Sequence, residues 1–92
     1  MKRNQLLKTI ADKLRKQGAK QIAVFGSYAR GEEKKNSDVD ILVKFSKPKS
    51  LLEFVSIEQE LSKETGKKVD LLSESAISPY LIDRIRKEMV KL

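Results

Sequence analysis

Asp38 and Asp40 stand one residue apart at the head of the apolar run Ile41-Leu42-Val43, and Asp70 lies between Val69 and Leu71. On an extended strand, residues i and i+2 share a face. Both carboxylates of the Asp38–Asp40 pair therefore point the same way, with Cα atoms roughly 6.6 Å apart. Like charges so placed oppose each other's ionisation unless a cation lies between them. Hard oxygen donors in this number suit Mg²⁺, which takes one or two carboxylates and keeps positions for phosphate oxygens and water. Upstream, the apolar run Ile22-Ala23-Val24-Phe25 stops at Gly26-Ser27. Gly26 lets a ligand approach the backbone closely. Ser27 can cap a short helix, turning its hydroxyl and nearby amides toward a phosphate. Arg30 is a candidate bidentate phosphate partner, or else one side of an internal ion pair, for instance with a site aspartate. A phosphate clamp beside a cation clamp is the donor set of phosphoryl or nucleotidyl transfer.

The spacing sharpens this reading. Gly-Ser, ten residues and then Asp-x-Asp, with a third strand-borne aspartate at Asp70, resembles the signature of the polymerase-beta-like nucleotidyltransferase superfamily. At 92 residues the chain is most similar to the minimal nucleotidyltransferases (MNT) of that superfamily, and the similarity covers nearly all of it. The resemblance implies an α/β (α+β) fold with a small mixed sheet and flanking helices. It implies two-metal transfer of AMP from ATP, with two Mg²⁺ ions held by Asp38, Asp40 and Asp70. It implies nucleotide contacts from Gly26, Ser27 and Arg30. It also implies a partner: proteins of this kind pair with a HEPN-domain toxin, act as its antitoxin and attach AMP to one of its tyrosines.

Composition sets limits on the chemistry. The chain has no cysteine and no histidine, which excludes disulfides, thiolate metal sites and every Ser-His or Cys-His arrangement. Acid–base work falls to Asp, Glu, Lys or metal-bound water. No apolar stretch approaches membrane-spanning length and no signal-peptide pattern opens the sequence, so a cytoplasmic protein is expected. The formal net charge of +7 is concentrated at the ends. Residues 1–20 hold seven basic groups against Asp12 alone, whereas residues 21–82 are close to neutral. The positive field can draw in ATP, an acidic protein surface or RNA, or simply solvate the helix faces.

Seven elements must position these groups in one domain spanning residues 1–92, in the order αβαβαβα. An amphipathic helix over residues 2–17 puts Leu6, Leu7, Ile10, Ala11 and Leu14 on one stripe, with Gly18 just past its end. A central strand over 20–25 leads into the Gly26–Gly31 turn and short helix. A polar, mobile loop, Glu32 to Ser37, precedes a strand over 38–45. There Val39, Ile41, Val43 and Phe45 face one way, and Asp38, Asp40 and Leu42 the other. Ser50 and Glu53 form a capping box for a helix ending at Gly66, its apolar face drawn from Leu51, Phe54, Val55, Ile57 and Leu61. A strand over 69–72 turns Asp70 away from Val69 and Leu71. Ser78-Pro79 starts a last helix over 79–91, with Leu81, Ile82, Ile85 and Met89 inward.

Other readings compete. A non-catalytic binding module on the same fold would leave the three aspartates without work. Transfer to a small molecule would need an acceptor-binding domain, for which a chain of this length leaves no room; a homo-oligomer or a partner protein must supply that surface. A nucleic-acid partner is not expected, because the five aromatics fall mostly in apolar runs and form no stacking platform.

Overall fold

The structure, a computed structural model, describes residues 1–92. Helix α1 spans Arg3–Lys16 and is followed by strand β1, Ala19–Phe25. The short helix α2, Ser27–Arg30, leads to β2, Val39–Phe45. Helix α3 is Leu51–Thr65 and β3 is Val69–Ser73. A 3₁₀ turn over Glu74–Ala76 precedes α4, Pro79–Glu88, and β4, Val90–Lys91. The sheet order is β3-β2-β1-β4, with β2 and β3 parallel and the other two pairings antiparallel. A small mixed sheet with flanking helices is thus the observed architecture. No helix is long and apolar enough to cross a membrane.

Period-2 alternation divides the sheet's side chains between two cores. One face meets α1 and α3: Leu6, Ile10 and Leu14 of α1 and Ile57 and Leu61 of α3 pack with Ile22, Val24, Val39, Ile41, Val43, Val69 and Leu71. The other face is smaller. There Ala23 and Leu42 are buried by Ile85 of α4, with Phe25, Leu72, Ile82 and Met89 partly buried around them. Asp40 falls on this second face by alternation from Leu42, across from Phe25.

The parallel edge strand is protected by its neighbour. Ser62 Oγ of α3 accepts the Val69 N–H at 2.9 Å, and Glu58 Oε2 accepts the Leu71 N–H at 2.8 Å. Donors that could recruit a foreign strand are thereby occupied. At the other end of α3 the capping box forms as expected, with Glu53 N–H on Ser50 Oγ at 3.2 Å and Ser50 N–H on Glu53 Oε1 at 3.1 Å. Ser50→Ala should lower stability by about 1 kcal/mol. Thermal denaturation should show a fall of roughly 4–8 °C, and an unchanged midpoint would mean the cap is not formed in solution.

Three expectations need correction. The last helix does not run to residue 91: α4 stops at Glu88, Met89 turns extended, and Val90–Lys91 pair with β1. The outer edge of β1 carries unpaired backbone groups that a helix cannot satisfy, and the Leu92 N–H also bonds Ile22 O at 3.0 Å. Second, the buried stripes are narrower than expected. Leu51 is 78% exposed, Val55 37% and Leu81 44%. α3 is anchored through Ile57, Leu61 and Thr65, with Phe54 half-buried. Third, the polar loop from Glu32 to Ser37 carries more contacts than its composition announces. Glu33 pairs with Arg3 at 2.8 Å, the Lys34 N–H bonds Ser37 Oγ at 2.8 Å, and Lys67 Nζ bonds Lys35 O at 2.7 Å.

Candidate active site

The second face of the sheet gathers the predicted residues at one end. Asp40 stands beside Asp70 in the parallel β2/β3 register, and opposite Phe25 in the antiparallel β1/β2 register. Neighbouring strands lie roughly 4.8 Å apart, so the carboxylates of Asp40 and Asp70 are side by side. Asp38 falls just before β2 rather than within it, and Lys68 Nζ lies 3.9 Å from its Oδ2. All three aspartates are half-buried.

Gly26 follows Phe25 and closes the site from the β1 side. Its φ of 72° belongs to the left-handed region. A Cβ at this position would meet Asp40 Oδ2 at 2.3 Å. The Gly-Ser turn and the aspartate pair are therefore in direct contact, and only glycine fits between them. Gly26, not Ser27, takes the capping position of α2. Ser27 is the first helical residue, and its side chain makes no capping bond. The expected Ser27 cap is replaced by an uncommitted, half-buried hydroxyl. Buried Tyr28 packs into the main core, and its carbonyl accepts from Arg3 Nη2 at 2.6 Å, which fastens the turn to α1.

Electrostatics at this end are those of crowded anions. Burial, with the charges of Asp70, Asp38 and Glu88, pushes the Asp40 carboxyl above its ordinary value, against a smaller opposing pull from Arg30. Asp70 is raised as well, first by burial and then by Asp38 and Glu58, while Lys68 pulls the other way. A pair of carboxylates that resists ionisation is a place where a divalent cation is favoured. The donor chemistry fits Mg²⁺, although no three acidic side chains are gathered tightly enough to hold a cation as they stand.

Arg30 forms the internal ion pair expected as its alternative, but with glutamates rather than a site aspartate. Its Nε donates to Glu32 Oε1 at 2.6 Å and its Nη1 to Glu88 Oε2 at 3.0 Å. Glu88 is the residue that sequence reasoning missed. Its other oxygen accepts the Gly26 N–H at 3.1 Å. That bond, followed by Arg30, holds the Glu88 carboxyl below the usual range. Nothing local marks Glu88: it sits 62 residues from Gly26 in a stretch read as mid-helix.

The main grooves of the chain lie elsewhere. One is lined by Lys20, Leu42, Lys44, Arg86, Met89 and Lys91, and another by Phe45, Leu51, Phe54 and Leu72. The three aspartates line neither groove; they form a half-buried ledge at one end of the sheet.

Comparison with known proteins places this fold in a family. The nucleotidyltransferase-domain family matches residues 5–92, and the chain belongs to that family. A Methanocaldococcus jannaschii protein provisionally named a protein adenylyltransferase is 47% identical over 87 residues, covering 95% of this chain and 94% of its own. The protein adenylyltransferase MntA of Thermococcus cleftensis is 44% identical over 73 residues, covering 79% of this chain and 74% of its own. A solved structure provisionally described as a minimal nucleotidyltransferase superimposes with a TM-score of 0.84 at 33% identity, covering 100% of this chain and 97% of that one. The fold alone is shared, at a TM-score of 0.81 and 21% identity over 98% of this chain and 71% of the other, with a chain from a Shewanella oneidensis complex of a tri-AMPylated HEPN toxin and its MNT antitoxin. The chain is a nucleotidyltransferase.

Proposed function

We propose that the protein transfers AMP from ATP to a hydroxyl of a partner protein, a tyrosine of a HEPN-domain toxin, and so acts as its antitoxin. The observation that carries this reading is the Asp40–Asp70 pair set in register beside Gly26. The adenylyltransferase names of the M. jannaschii and T. cleftensis relatives support AMP as the group moved.

Asp38, Asp40 and Asp70 would hold Mg²⁺, two ions in this class of reaction. When bound, the metal neutralises charge on the triphosphate and lowers the pKa of the attacking hydroxyl. Gly26 lets the phosphates approach the backbone closely while its own N–H stays on Glu88, and Ser27 receives phosphate oxygens on its amide and free hydroxyl. Arg30 offers Nη2, which has no partner within the chain, to the same oxygens. The acceptor oxygen attacks the α-phosphorus, the bond from that phosphorus to the bridging oxygen breaks, and pyrophosphate leaves. Asp70 accepts the hydroxyl proton. With no histidine in the chain, a carboxylate is the available proton acceptor.

The test is incubation with ATP labelled at the α-phosphate and, in parallel, at the γ-phosphate, in the presence of the toxin partner and Mg²⁺. Label should enter the partner from the α position only, and chelation should stop it. Label from the γ position would make the protein a kinase. Asp70→Asn should reduce turnover by a factor on the order of 100 with a much smaller change in ATP affinity; equal loss of both would place Asp70 among the triphosphate ligands instead.

A further inference from the structure

Glu88 is the last residue of α4, and its carboxylate bridges the two ends of the Gly26–Arg30 turn. One oxygen takes the Gly26 N–H at 3.1 Å and the other takes Arg30 Nη1 at 3.0 Å. Glu32 holds Nε of the same guanidinium at 2.6 Å. Arg30 is therefore fixed on two edges, and Nη2 is its one nitrogen without an internal partner. The C-terminal strand in turn fixes the place of Glu88, because Met89 turns extended and β4 pairs with β1 immediately afterwards.

We infer that Glu88 is a positioning residue for nucleotide binding: it fastens the Gly26–Arg30 turn to the C-terminal helix and holds Arg30 with Nη2 open to a phosphate oxygen. The inference rests on the nucleotide-transfer reading above. Glu88 is not itself a phosphate ligand, since its carboxylate would repel one, and its charge already opposes ionisation of Asp40. Its contribution is geometric. A free arginine side chain loses much rotamer freedom when it grips a ligand, and one already clamped by two carboxylates has less to lose. The bond to Gly26 works the same way on the backbone of the turn, which must keep its left-handed φ beside Asp40.

The experiment is calorimetric titration of Mg-ATP into the unaltered protein, Glu88→Ala, Glu88→Gln, Arg30→Ala and the Arg30→Ala/Glu88→Ala double variant, each with its melting temperature measured. Glu88→Ala should weaken binding about tenfold, the scale of one charge-assisted contact. Glu88→Gln keeps an acceptor for the Gly26 N–H and should recover part of that loss. In the Arg30→Ala background the Glu88→Ala change should matter several-fold less, a coupling that a general loss of stability would not produce. Binding by Glu88→Ala as tight as, or tighter than, that of the unaltered chain would overturn the inference, and tighter binding would make Glu88 a competitor of the phosphates. If the unaltered chain binds no Mg-ATP, the function proposed above fails and this inference fails with it.

Discussion

Replacing Asp40 with asparagine should reduce AMP transfer by a factor on the order of 10³ while raising the melting temperature of the magnesium-free protein by roughly 2–5 °C. Both effects have one origin. Asp40 is half-buried beside Asp70 and near Asp38, and burial with these neighbours holds its carboxyl above the ordinary 3.8. Its ionised form is thus the costly one in the folded chain, and asparagine removes that cost along with the cation ligand. The same origin sets the sign of the pH dependence. A carboxyl whose folded pKa exceeds its unfolded value binds more protons when folded, so between the two values stability falls as pH rises. Acidification from neutrality through the raised pKa should therefore return stability from Asp40, and Asp40→Asn should lose that return. Glu88, held below its ordinary 4.5, contributes with the opposite sign: its stabilisation is present above that value and is lost on further acidification. Added Mg²⁺ should stabilise the unaltered protein and reverse the ranking. Melting curves of both proteins, with and without Mg²⁺ across pH 4–7 (a window set by roughly where carboxylates titrate), check the prediction. An asparagine variant less stable than the parent without Mg²⁺ would refute the crowded-anion account.

Gly26→Ala should be more damaging to the fold. A φ of 72° is strained for alanine, and the new methyl would meet Asp40 Oδ2 at 2.3 Å. Together these should cost about 3 kcal/mol, a fall of roughly 10–20 °C in melting temperature. Nucleotide binding should be lost as well, because the turn cannot relax without moving the Ser27 amide and hydroxyl. The contact with Asp40 makes the prediction specific. In an Asp40→Ala background the collision disappears and only the backbone strain remains, so the double variant should be more stable than the sum of the single changes predicts. Strict additivity would show that Gly26 and Asp40 do not touch.

The placement of Asp40 and Asp70 was legible in the sequence because both obey the strand period. Alternation put Asp38 and Asp40 on the face opposite Val39, Ile41 and Val43, and separated Asp70 from Val69 and Leu71. The β2/β3 register then set Asp40 beside Asp70. Helices α1 and α3 were legible from apolar spacing, a capping box and terminal glycines. Less was legible at the C-terminus. The 3.6-residue spacing of Leu81, Ile82, Ile85 and Met89 continued past the true end of α4, because Met89 reaches the smaller core from an extended backbone instead. The helix ends at the open edge of β1, a tertiary feature no local window contains. The same event hid Glu88, whose role exists only once the chain has folded back to Gly26 and Arg30. Arg30 was legible as an ion-pair partner, but its carboxylates are Glu32 and Glu88 rather than the aspartates of the site. The wide apolar face expected for α3 failed at Leu51, which is exposed, because the helix is anchored through Ile57 and Leu61 further along.

The most direct test is a crystal of the protein grown with Mn²⁺ and a non-hydrolysable ATP analogue, read through the anomalous signal of the metal. Metal density in contact with Asp38, Asp40 and Asp70, with the triphosphate lying over Gly26 and Ser27, is the expected result. Analogue bound with its metal away from those carboxylates, or with Asp70 turned out of the coordination sphere, would contradict the assignment of this ledge as the transfer site.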